Sequence, residues 1–447
     1  MADNERLLHA AQRLAAGGVD TADVELVREA HPADLAHVLP NLQPEERNAL
    51  FRSLGLDHAG EVLSELDDHT LLVLIRSLDD VELSRILDQM PAEHAADVVD
   101  ELPTEQAEKI LDLMQEQKSE EVQEILEYPE QSAGRLMSPD FVALPETKTV
   151  EEAIQHLRKS ITEERAFELF VVDAHQHLVG VVPLRRLLIA DPATAVLAIR
   201  DENVVSVPTG MDQEEVARVV AKYDLVAVPV VDDRHRLVGT ITADDVVDIV
   251  GEEATEDIFR MAGSDAAELE RRSPRQIALM RLPWVMATLV IELGAGVVIH
   301  YFDQTLGKVI LLASFMPVIQ AISGNTGLQS VTMVVRGLAT GQVQLSRWWE
   351  PLRRQVQTSS ILGGVCALVV GSVGWLWHSA AFALVVAVSM FASVNLSGFA
   401  GTMIPMLSKR LGFDPAITAG PFETALQDVL GVTIFLSLAT ALLHWIS

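Results

Sequence analysis

The sequence predicts a multidomain protein with an all-α N-terminal domain, an α/β pair of repeated units and a transmembrane domain of five helices. Three observations support this prediction. The 447 residues carry a net charge of −31, yet residues 275–447 hold nine basic and six acidic side chains, which leaves −34 for residues 1–274. A 20-residue stretch near the middle of the chain occurs twice. Five C-terminal segments are apolar over lengths that can cross about 30 Å of hydrocarbon.

Residues 1–130 predict an acidic, all-α superhelical N-terminal domain. Leu39-Pro40, Met90-Pro91 and Leu102-Pro103 separate amphipathic stretches such as EQAEKILDLMQEQ, whose apolar residues recur at helical spacing. Short helices at roughly regular spacing are typical of a compact superhelical bundle. Nothing in this region resembles a catalytic motif.

Residues 131–250 contain an internal duplication. LFVVDAHQHLVGVVPLRRLL at 169–188 returns as VPVVDDRHRLVGTITADDVV at 228–247, an offset of 59 residues. Each copy has two β-rich runs around a charged turn, followed by the start of a helix. The pattern resembles a tandem pair of cystathionine-β-synthase (CBS) domains, an α/β arrangement that commonly acts as a regulatory sensor of nucleotides or ions.

One of the two repeats retains a nucleotide-binding pattern. Thr242-x-x-Asp245 resembles the ribose-binding Thr/Ser-x-x-Asp of nucleotide-binding CBS domains, whereas the first copy has Pro183 and Arg186 at the matching places. At most half of the usual site pattern therefore remains. The resemblance leaves ATP binding to the CBS domains, with Asp245 as the ribose contact, as an open question.

Residues 251–274 are expected to form a helix that connects the CBS pair to the membrane domain. Asp245 and Asp248 precede it on one helical face, and several acids follow. Like charges this dense repel one another unless water or a cation neutralises them. Divalent cations could bridge them to acids elsewhere, such as Glu93 and Asp97. The alternative is a solvated charged linker.

The transmembrane domain is predicted to occupy residues 275–447. Arginine and lysine concentrate before the first span and in the loops after the second and fourth, which predicts a cytoplasmic N-terminus. An odd number of spans leaves the tail His444–Ser447 outside. The N-terminus has no apolar core of signal-peptide type, so insertion must rely on these spans. The predicted spans are 282–302, 309–335, 358–377, 380–407 and 417–446.

Asp428 is the most informative residue, because it lies inside the last apolar segment. A carboxylate in the bilayer costs about 2.5–3.5 kcal/mol on insertion scales and normally faces a water-filled path or a partner. Since almost no basic residue lies nearby in the apolar region, a passing cation is the simplest partner. The alternative is an acid near the membrane surface or hydrogen-bonded to a neighbouring helix. Glu292 and Glu423 rank below Asp428 as candidates.

The residues inside the spans fit Mg²⁺, which prefers oxygen ligands and keeps its water. Clustered basic residues, which nucleic acid requires, are missing from the acidic half. Cys366 is the single cysteine, which excludes an internal disulfide or a cysteine-based metal site. The sequence contains no nucleophile–base set, phosphate loop or His-Glu-x-x-His motif, so an enzyme is not expected.

The whole arrangement resembles the MgtE family of Mg²⁺ channels or transporters. The most specific residues are the runs 317–319, 324–327 and 414–416, and then Pro421 to Gly431. The resemblance implies a homodimer in a bacterial inner membrane with a pore between the subunits. It implies that Asp428 holds hydrated Mg²⁺ with the help of the Thr424 backbone carbonyl, and that Gly324 and Asn325 belong to the pore-lining turn.

The resemblance also implies regulation, in which abundant cytoplasmic Mg²⁺ bridges acids of the helical domain, the CBS pair and the connecting "plug" helix, and so shuts the pore. Leu328 and Glu423 depart from the common family pattern, which leaves Co²⁺, Mn²⁺ or Ni²⁺ open as further cargo. A nucleotide-sensing membrane regulator is the alternative of another class, and the lack of basic residues within the spans argues against an anion transporter. The bridging acids would be Glu93, Asp97, Asp245, Asp248, Glu253, Glu256 and Asp257.

Overall fold

The structure, a computed structural model, describes residues 2–15, 20–160, 168–264 and 273–442. The chain forms two units, Met1–Val250 and Gly251–Ser447, and each is described by itself. The predicted multidomain layout, with a helical domain, an α/β pair and a helical C-terminal region, is confirmed. The connecting segment at 265–272, the end of the fifth predicted span at 443–446 and the tail His444–Ser447 lie outside the described residues.

The first domain of the N-terminal unit is a succession of short helices. Prolines 32 and 44 occupy first helical turns, where their missing N–H groups are not needed. Asp79 and Glu82 form a capping box, in which the Asp79 carboxylate accepts the Glu82 N–H at 2.8 Å. Leucines from successive helices, such as Leu35 and Leu83, are fully buried in one core. The helices span Ala2–Ala15 (α1), Thr21–Glu29 (α2), Pro32–Val38 (α3), Pro44–Ser53 (α4), Leu56–Ser64 (α5), Asp68–Ile75 (α6), Asp80–Leu87 (α7), Ala92–Asp100 (α8), Thr104–Leu113 (α9) and Glu116–Leu126 (α10), with a 3₁₀ turn at Leu39–Asn41.

The two sequence repeats fold into two small sheets of the same topology. In each sheet a short first strand pairs parallel to the second strand, which pairs antiparallel with the third. The last two strands of each sheet begin and end 59 residues apart, so the sequence offset is preserved in the structure. The elements are Ala133–Leu136 (α11), Ala143–Pro145 (β1), Val150–Ser160 (α12), Glu168–Val172 (β2), Leu178–Pro183 (β3), Leu184–Ile189 (α13), Val196–Ile199 (α14), Val207–Pro208 (β4), Gln213–Tyr223 (α15), Ala227–Val231 (β5) and Leu237–Thr242 (β6).

The Val-Val-Asp motif of each repeat shapes the hairpin turn. The Asp173 carboxylate accepts backbone N–H groups from His175 at 2.8 Å and His177 at 2.9 Å. Asp232 does the same for the second hairpin. The side-chain hydrogen bond to His177 and these backbone donors lower the pKa of Asp173 to about 2. The repeated aspartates are therefore explained by turn geometry, without a ligand.

A long helix, Ala243–Met261 (α16), follows the last strand of the second repeat. The backbone N–H and hydroxyl of Thr242 both donate to Asp245 Oδ2, at 2.9 and 2.6 Å. These bonds satisfy donors at the helix start, which otherwise have no partner within the helix. Thr242 and Asp245 therefore have a structural role whether or not a nucleotide binds.

The C-terminal unit contains the long apolar helices. Four helical stretches, Pro274–Tyr301, Trp349–Trp377, Ala380–Arg410 and Pro415–Ala441, are long and apolar enough to cross a membrane among the described residues. The second predicted span forms a helix of 28 residues, about 42 Å long. This helix is not among the four, so five spans stay a prediction. The helices are Pro274–Tyr301 (α17), Asp303–Lys308 (α18), Leu312–Ala339 (α19), Trp349–Trp377 (α20), Ala380–Arg410 (α21), Pro415–Ala419 (α22) and Pro421–Ala441 (α23), with a 3₁₀ turn at Leu345–Arg347.

Helix α21 packs between its neighbours through small residues. A Cβ atom at Gly401 would lie only 2.5 Å from the carbonyl oxygen of Gly327 on α19. Ser397 on α21 donates to the carbonyl oxygen of Ser323 at 2.5 Å, so the two helices are joined by hydrogen bonding as well as close packing. Towards the other end, Phe382 and Phe435 are fully buried in an apolar core. This packing fixes the positions of α19 and α23, which carry the predicted ion-path residues.

Candidate metal-ion path

The structure brings Asp428 together with a second acid. Asp428 on α23 is half-buried, and its carboxyl group interacts with that of Glu292 on α17 through a side-chain hydrogen bond. Two carboxylates in such contact repel unless they share a proton or a cation. Sequence reasoning ranked Glu292 well below Asp428, and the structure makes the two a pair. Such a pair suits a cation, because both groups supply only oxygen ligands.

The remaining predicted path residues lie near the same end of α23 and on an open face of α19. Thr424 is half-buried one turn before Asp428, and its hydroxyl donates to the Gly420 carbonyl oxygen at 3.4 Å. Gly324 is half-buried and Asn325 is exposed. The opposite face of α19, which includes Ser323, packs against α21. Asn325 is therefore available to an ion path or a second subunit, while the other face holds the unit together.

The junction between the helical domain and the CBS pair contains two of the predicted regulatory acids. Glu93, in the first turn of α8, hydrogen-bonds Ser138 beside the second sheet and lies close enough to Asp245 to feel its charge. Burial, assisted by the charge of Asp245, raises the pKa of Glu93. A carboxylate buried against another acid is costly to ionise, and a bound cation would relieve that cost.

Asp97 contacts a basic side chain at the start of the CBS pair. Arg135 Nη2 lies 3.2 Å from Asp97, 3.1 Å from Asp100 and 3.2 Å from the carbonyl oxygen of Ala96. The Arg135 side chain is only 7% exposed, so this is an ion-pair contact between α8 and the start of the CBS pair. The predicted role of Asp97 in cation bridging stays a prediction. A single arginine gives no sequence signal for this contact.

The acids of the connecting helix include one clear ion-pair network. Asp248 is exposed, whereas Glu253, Glu256 and Asp257 are half-buried. Arg260 pairs with Glu256 and, at 2.5 Å, with Asp414. Asp414 also caps α22 by accepting the Ala416 N–H at 2.8 Å.

The Arg260 network fastens the end of α16 to the segment that precedes α23. Met261 adds to this contact by packing beside the buried side chains of Val331 and Ala416. Sequence reasoning missed Arg260, although it is the one basic residue of the run 243–261.

Ready-made metal clusters are not found in the part of the chain that the structure describes. No three His, Cys, Asp or Glu side chains there come close enough to hold a metal ion. Among the predicted regulatory acids, Glu93 interacts with Asp245, Asp97 pairs with Arg135, and Glu256 pairs with Arg260. Any cation that bridges them must bring acids together or bind through its own water.

Comparison with protein families agrees with this architecture. A family described as "Divalent cation transporter" (MgtE) matches residues 316–438. The MgtE intracellular N domain matches residues 30–131. The CBS domain matches residues 133–192 and 196–252.

Individual relatives match over nearly the whole chain. The magnesium transporter MgtE of Bacillus subtilis is 33% identical over 422 residues, covering 94% of this chain and 93% of that protein. The magnesium transporter MgtE of Thermus thermophilus is 35% identical over 460 residues, covering 98% and 99%. A solved structure of the cytosolic domain of the Mg²⁺ channel MgtE in complex with ATP is similar with a TM-score of 0.52 and 36% identity, covering 54% of this chain and 99% of that one.

Proposed function

The chain belongs to the MgtE family, and from that premise we propose that it is a Mg²⁺ transporter whose membrane domain conducts Mg²⁺ and whose acidic N-terminal half closes the path when Mg²⁺ is abundant. The observation that carries the proposal is the Asp428–Glu292 pair, which places two carboxyl groups in contact between apolar helices. Placing an acid inside the membrane costs free energy, and such acids normally face an ion path, where their charge binds the ion.

Mg²⁺ is the ion that this chemistry favours. It is small, prefers oxygen and dehydrates reluctantly, so one or two carboxylates and neighbouring carbonyls suit it better than a closed cage. Asp428 is half-buried, with Thr424 one turn before it, so an ion bound there need not lose all of its water. The relatives from Bacillus subtilis and Thermus thermophilus are named magnesium transporters.

Regulation by Mg²⁺ is supported by the acids at the junction of the helical domain and the CBS pair. Glu93 lies near Asp245, and a cation that neutralises both would relieve their repulsion. Carboxylate sites at the weak end of the range bind in the millimolar range, which suits a sensor of free Mg²⁺. To close the path, Mg²⁺ must bind the closed arrangement more tightly than the open one.

ATP binding is proposed for the CBS pair. The similar cytosolic domain that was solved with ATP supports the proposal, and Asp245 is the ribose contact that the sequence pattern suggests. The site is incomplete in the first repeat, where Pro183 and Arg186 replace the pattern. ATP titration of the wild type beside Asp245→Asn, followed by calorimetry, tests this; equal binding by both proteins would remove Asp245 from the site.

The membrane arrangement is proposed in line with the family: a homodimer in the bacterial inner membrane, with the N-terminus cytoplasmic and the C-terminus outside. The loop charges support this orientation. Cysteine labelling of the two termini in sealed cells would test it.

Flux into liposomes is the decisive experiment for transport. We expect the wild-type protein to carry Mg²⁺ and Asp428→Asn to lose at least nine-tenths of that flux. The asparagine amide has nearly the same shape as the aspartate carboxylate but carries no charge. Thr433→Val, on the same helix, is the matched control and should retain flux. Normal Mg²⁺ flux by a folded Asp428→Asn protein would refute the assignment.

Transport of other divalent cations is the second candidate, because the matching family is described as a divalent cation transporter. The same liposomes challenged with Co²⁺, Mn²⁺ and Ni²⁺ distinguish a selective from a broad path. A rate for any of them equal to that of Mg²⁺ would contradict selectivity.

A further inference from the structure

The start of α23 buries a second carboxylate that the proposed ion path does not use. Glu423 is 1% exposed, and Gln427, one turn later, is 4% exposed. Neither carboxylate oxygen of Glu423 and neither amide atom of Gln427 has a hydrogen-bond partner among the residues that the structure describes. A buried polar group without a partner costs about 1–3 kcal/mol, and a charged one costs more. Such groups indicate a ligand that satisfies them.

Three side-chain oxygens crowd against the backbone of Gly327 on α19. A Cβ atom at Gly327 would lie 2.5 Å from Gln427 Oε1 and 2.6 Å from Ser397 Oγ, and it would be nearer still to Glu423 Oε1. Two of these oxygens belong to α23 and one to α21. Three oxygens from two helices therefore meet beside Gly327, and only glycine lets them come this close to the backbone.

The same interface offers further polar groups. The Ser393 hydroxyl is 2% exposed and also has no hydrogen-bond partner within the described ranges. A Cβ atom at Gly431 would lie 3.9 Å from both Ser393 Oγ and Ser323 Oγ, so these hydroxyls belong to the same three-helix contact. Gly327 thus lies within a buried polar region.

The charge of the site restricts the class of ligand. The site holds a single buried carboxylate, so a divalent cation would leave a positive charge uncompensated in the apolar interior. One buried carboxylate balances one positive charge.

We propose that Glu423, Gln427 and Ser397, which meet beside Gly327, form a site for a small, dehydrated monovalent cation, of which Na⁺ is the probe. The site lies within one chain and does not include the Asp428–Glu292 pair, although Glu423 lies close enough to Asp428 to feel its charge. A cation there joins α19, α21 and the first turn of α23. The binding itself does not depend on the proposed transport of Mg²⁺; only a consequence for flux, through Thr424 beside Glu423, would rest on it.

The test uses the full chain in lipid nanodiscs, with EDTA to remove divalent cations and choline chloride to hold the ionic strength constant. The thermal unfolding midpoint is measured against NaCl concentration. Glu423→Gln removes the charge with little change of shape, and Gly327→Ala places a methyl group where the three oxygens meet. Thr433→Val is the control on the same helix, because the Thr433 hydroxyl donates within its own helix to Val429 at 2.7 Å.

We expect Na⁺ to raise the midpoint of the wild type and of Thr433→Val by about 2 °C or more in a saturable way, and to leave Glu423→Gln and Gly327→Ala unchanged. An equal response of Glu423→Gln would place Na⁺ elsewhere and overturn the proposal. A midpoint that rises as the pH falls from about 8 to about 6 but ignores Na⁺ would show that a proton occupies the site. No response to either would leave a polar cluster without a ligand, and these last two results also overturn the proposal. Mg²⁺ flux of the wild type, measured in parallel, tests the transport assignment separately.

Discussion

Replacing Arg135 with methionine should loosen the helical domain from the CBS pair. The guanidinium lies 3.1 Å from Asp100, 3.2 Å from Asp97 and 3.2 Å from the Ala96 carbonyl oxygen, and it is only 7% exposed. Methionine keeps the apolar stem of the side chain but removes its charge and donors. The two acids then face the junction without the cation that now holds them.

The size of the effect follows from the exposure of the partners. Hydrogen bonds to charged groups contribute about 1.5–3 kcal/mol each when well shielded. Here Asp97 and Asp100 are 64% and 47% exposed, so water screens the pairs and the contribution shrinks. We expect a total loss of about 1–2 kcal/mol, which changes the docking equilibrium about 5- to 30-fold.

Hydrogen exchange on the full chain in EDTA measures this change. Amides at the junction, such as those of Val99, Asp100 and Glu101 at the end of α8, should exchange about 5- to 30-fold faster in Arg135→Met, because Arg135 holds this end of the helix. Arg85→Met, which alters an exposed arginine on α7, should exchange like the wild type. Junction amides that change by less than about twofold in Arg135→Met would refute the reasoning.

Three further predictions concern the junction, the connecting helix and the membrane helices. Burial raises the folded-state pKa of Glu93 above its usual 4.5, so the contribution of Glu93 to docking is present at low pH and is lost as the pH rises through the raised pKa. Hydrogen exchange at the junction should therefore depend less on pH in Glu93→Gln than in the wild type. The same pH dependence in both proteins would contradict this. Arg260→Gln should raise, by about two- to fivefold, the Mg²⁺ concentration at which liposome flux falls to half, because a partly exposed ion pair with Asp414 is lost. The same half-maximal Mg²⁺ concentration as in the wild type would exclude a role for Arg260 in closure. Gly401→Ala should lower the free energy of unfolding of the membrane domain by about 1–3 kcal/mol, measured by thermal unfolding. The control is Gly364→Ala, where a Cβ meets no atom within 4 Å, and it should leave the stability unchanged. Equal stabilities of the two variants would show that α19 and α21 can move apart freely.

Much of the fold could be predicted from the sequence, because it depends on local pattern. The 59-residue repeat predicted two equal units, and the strands of the two sheets keep that offset. The apolar segments likewise predicted the long helices, although the helices extend beyond the apolar stretches; Trp349–Trp377 begins nine residues before the predicted span at 358. Helical geometry continues through polar residues once a helix has formed, so the ends cannot be read from hydrophobicity.

The partners within the site could not be predicted in the same way. Asp428 was identifiable from its cost in a bilayer, but its neighbour Glu292 lies on a helix that begins more than 150 residues earlier in the chain. Arg135 and Arg260 are single basic residues whose importance depends on which acids the fold brings to them. Glu423 was noticed as an unusual acid, and only tertiary packing reveals that it points away from solvent towards Gly327. Periodicity describes one element at a time, whereas these contacts join elements.

The bonds between Thr242 and Asp245 have a consequence for signalling. Two donors of Thr242 already occupy one oxygen of Asp245, and they fasten the first turn of α16. A ribose or a metal ion that takes this oxygen must displace at least one of them, which leaves the helix start without its cap. Ligand exchange at one carboxylate is thereby linked to fraying or tightening of a 19-residue helix, about 28 Å long, whose far end holds Arg260. Asp245 would thus both bind the ligand and hold the start of α16.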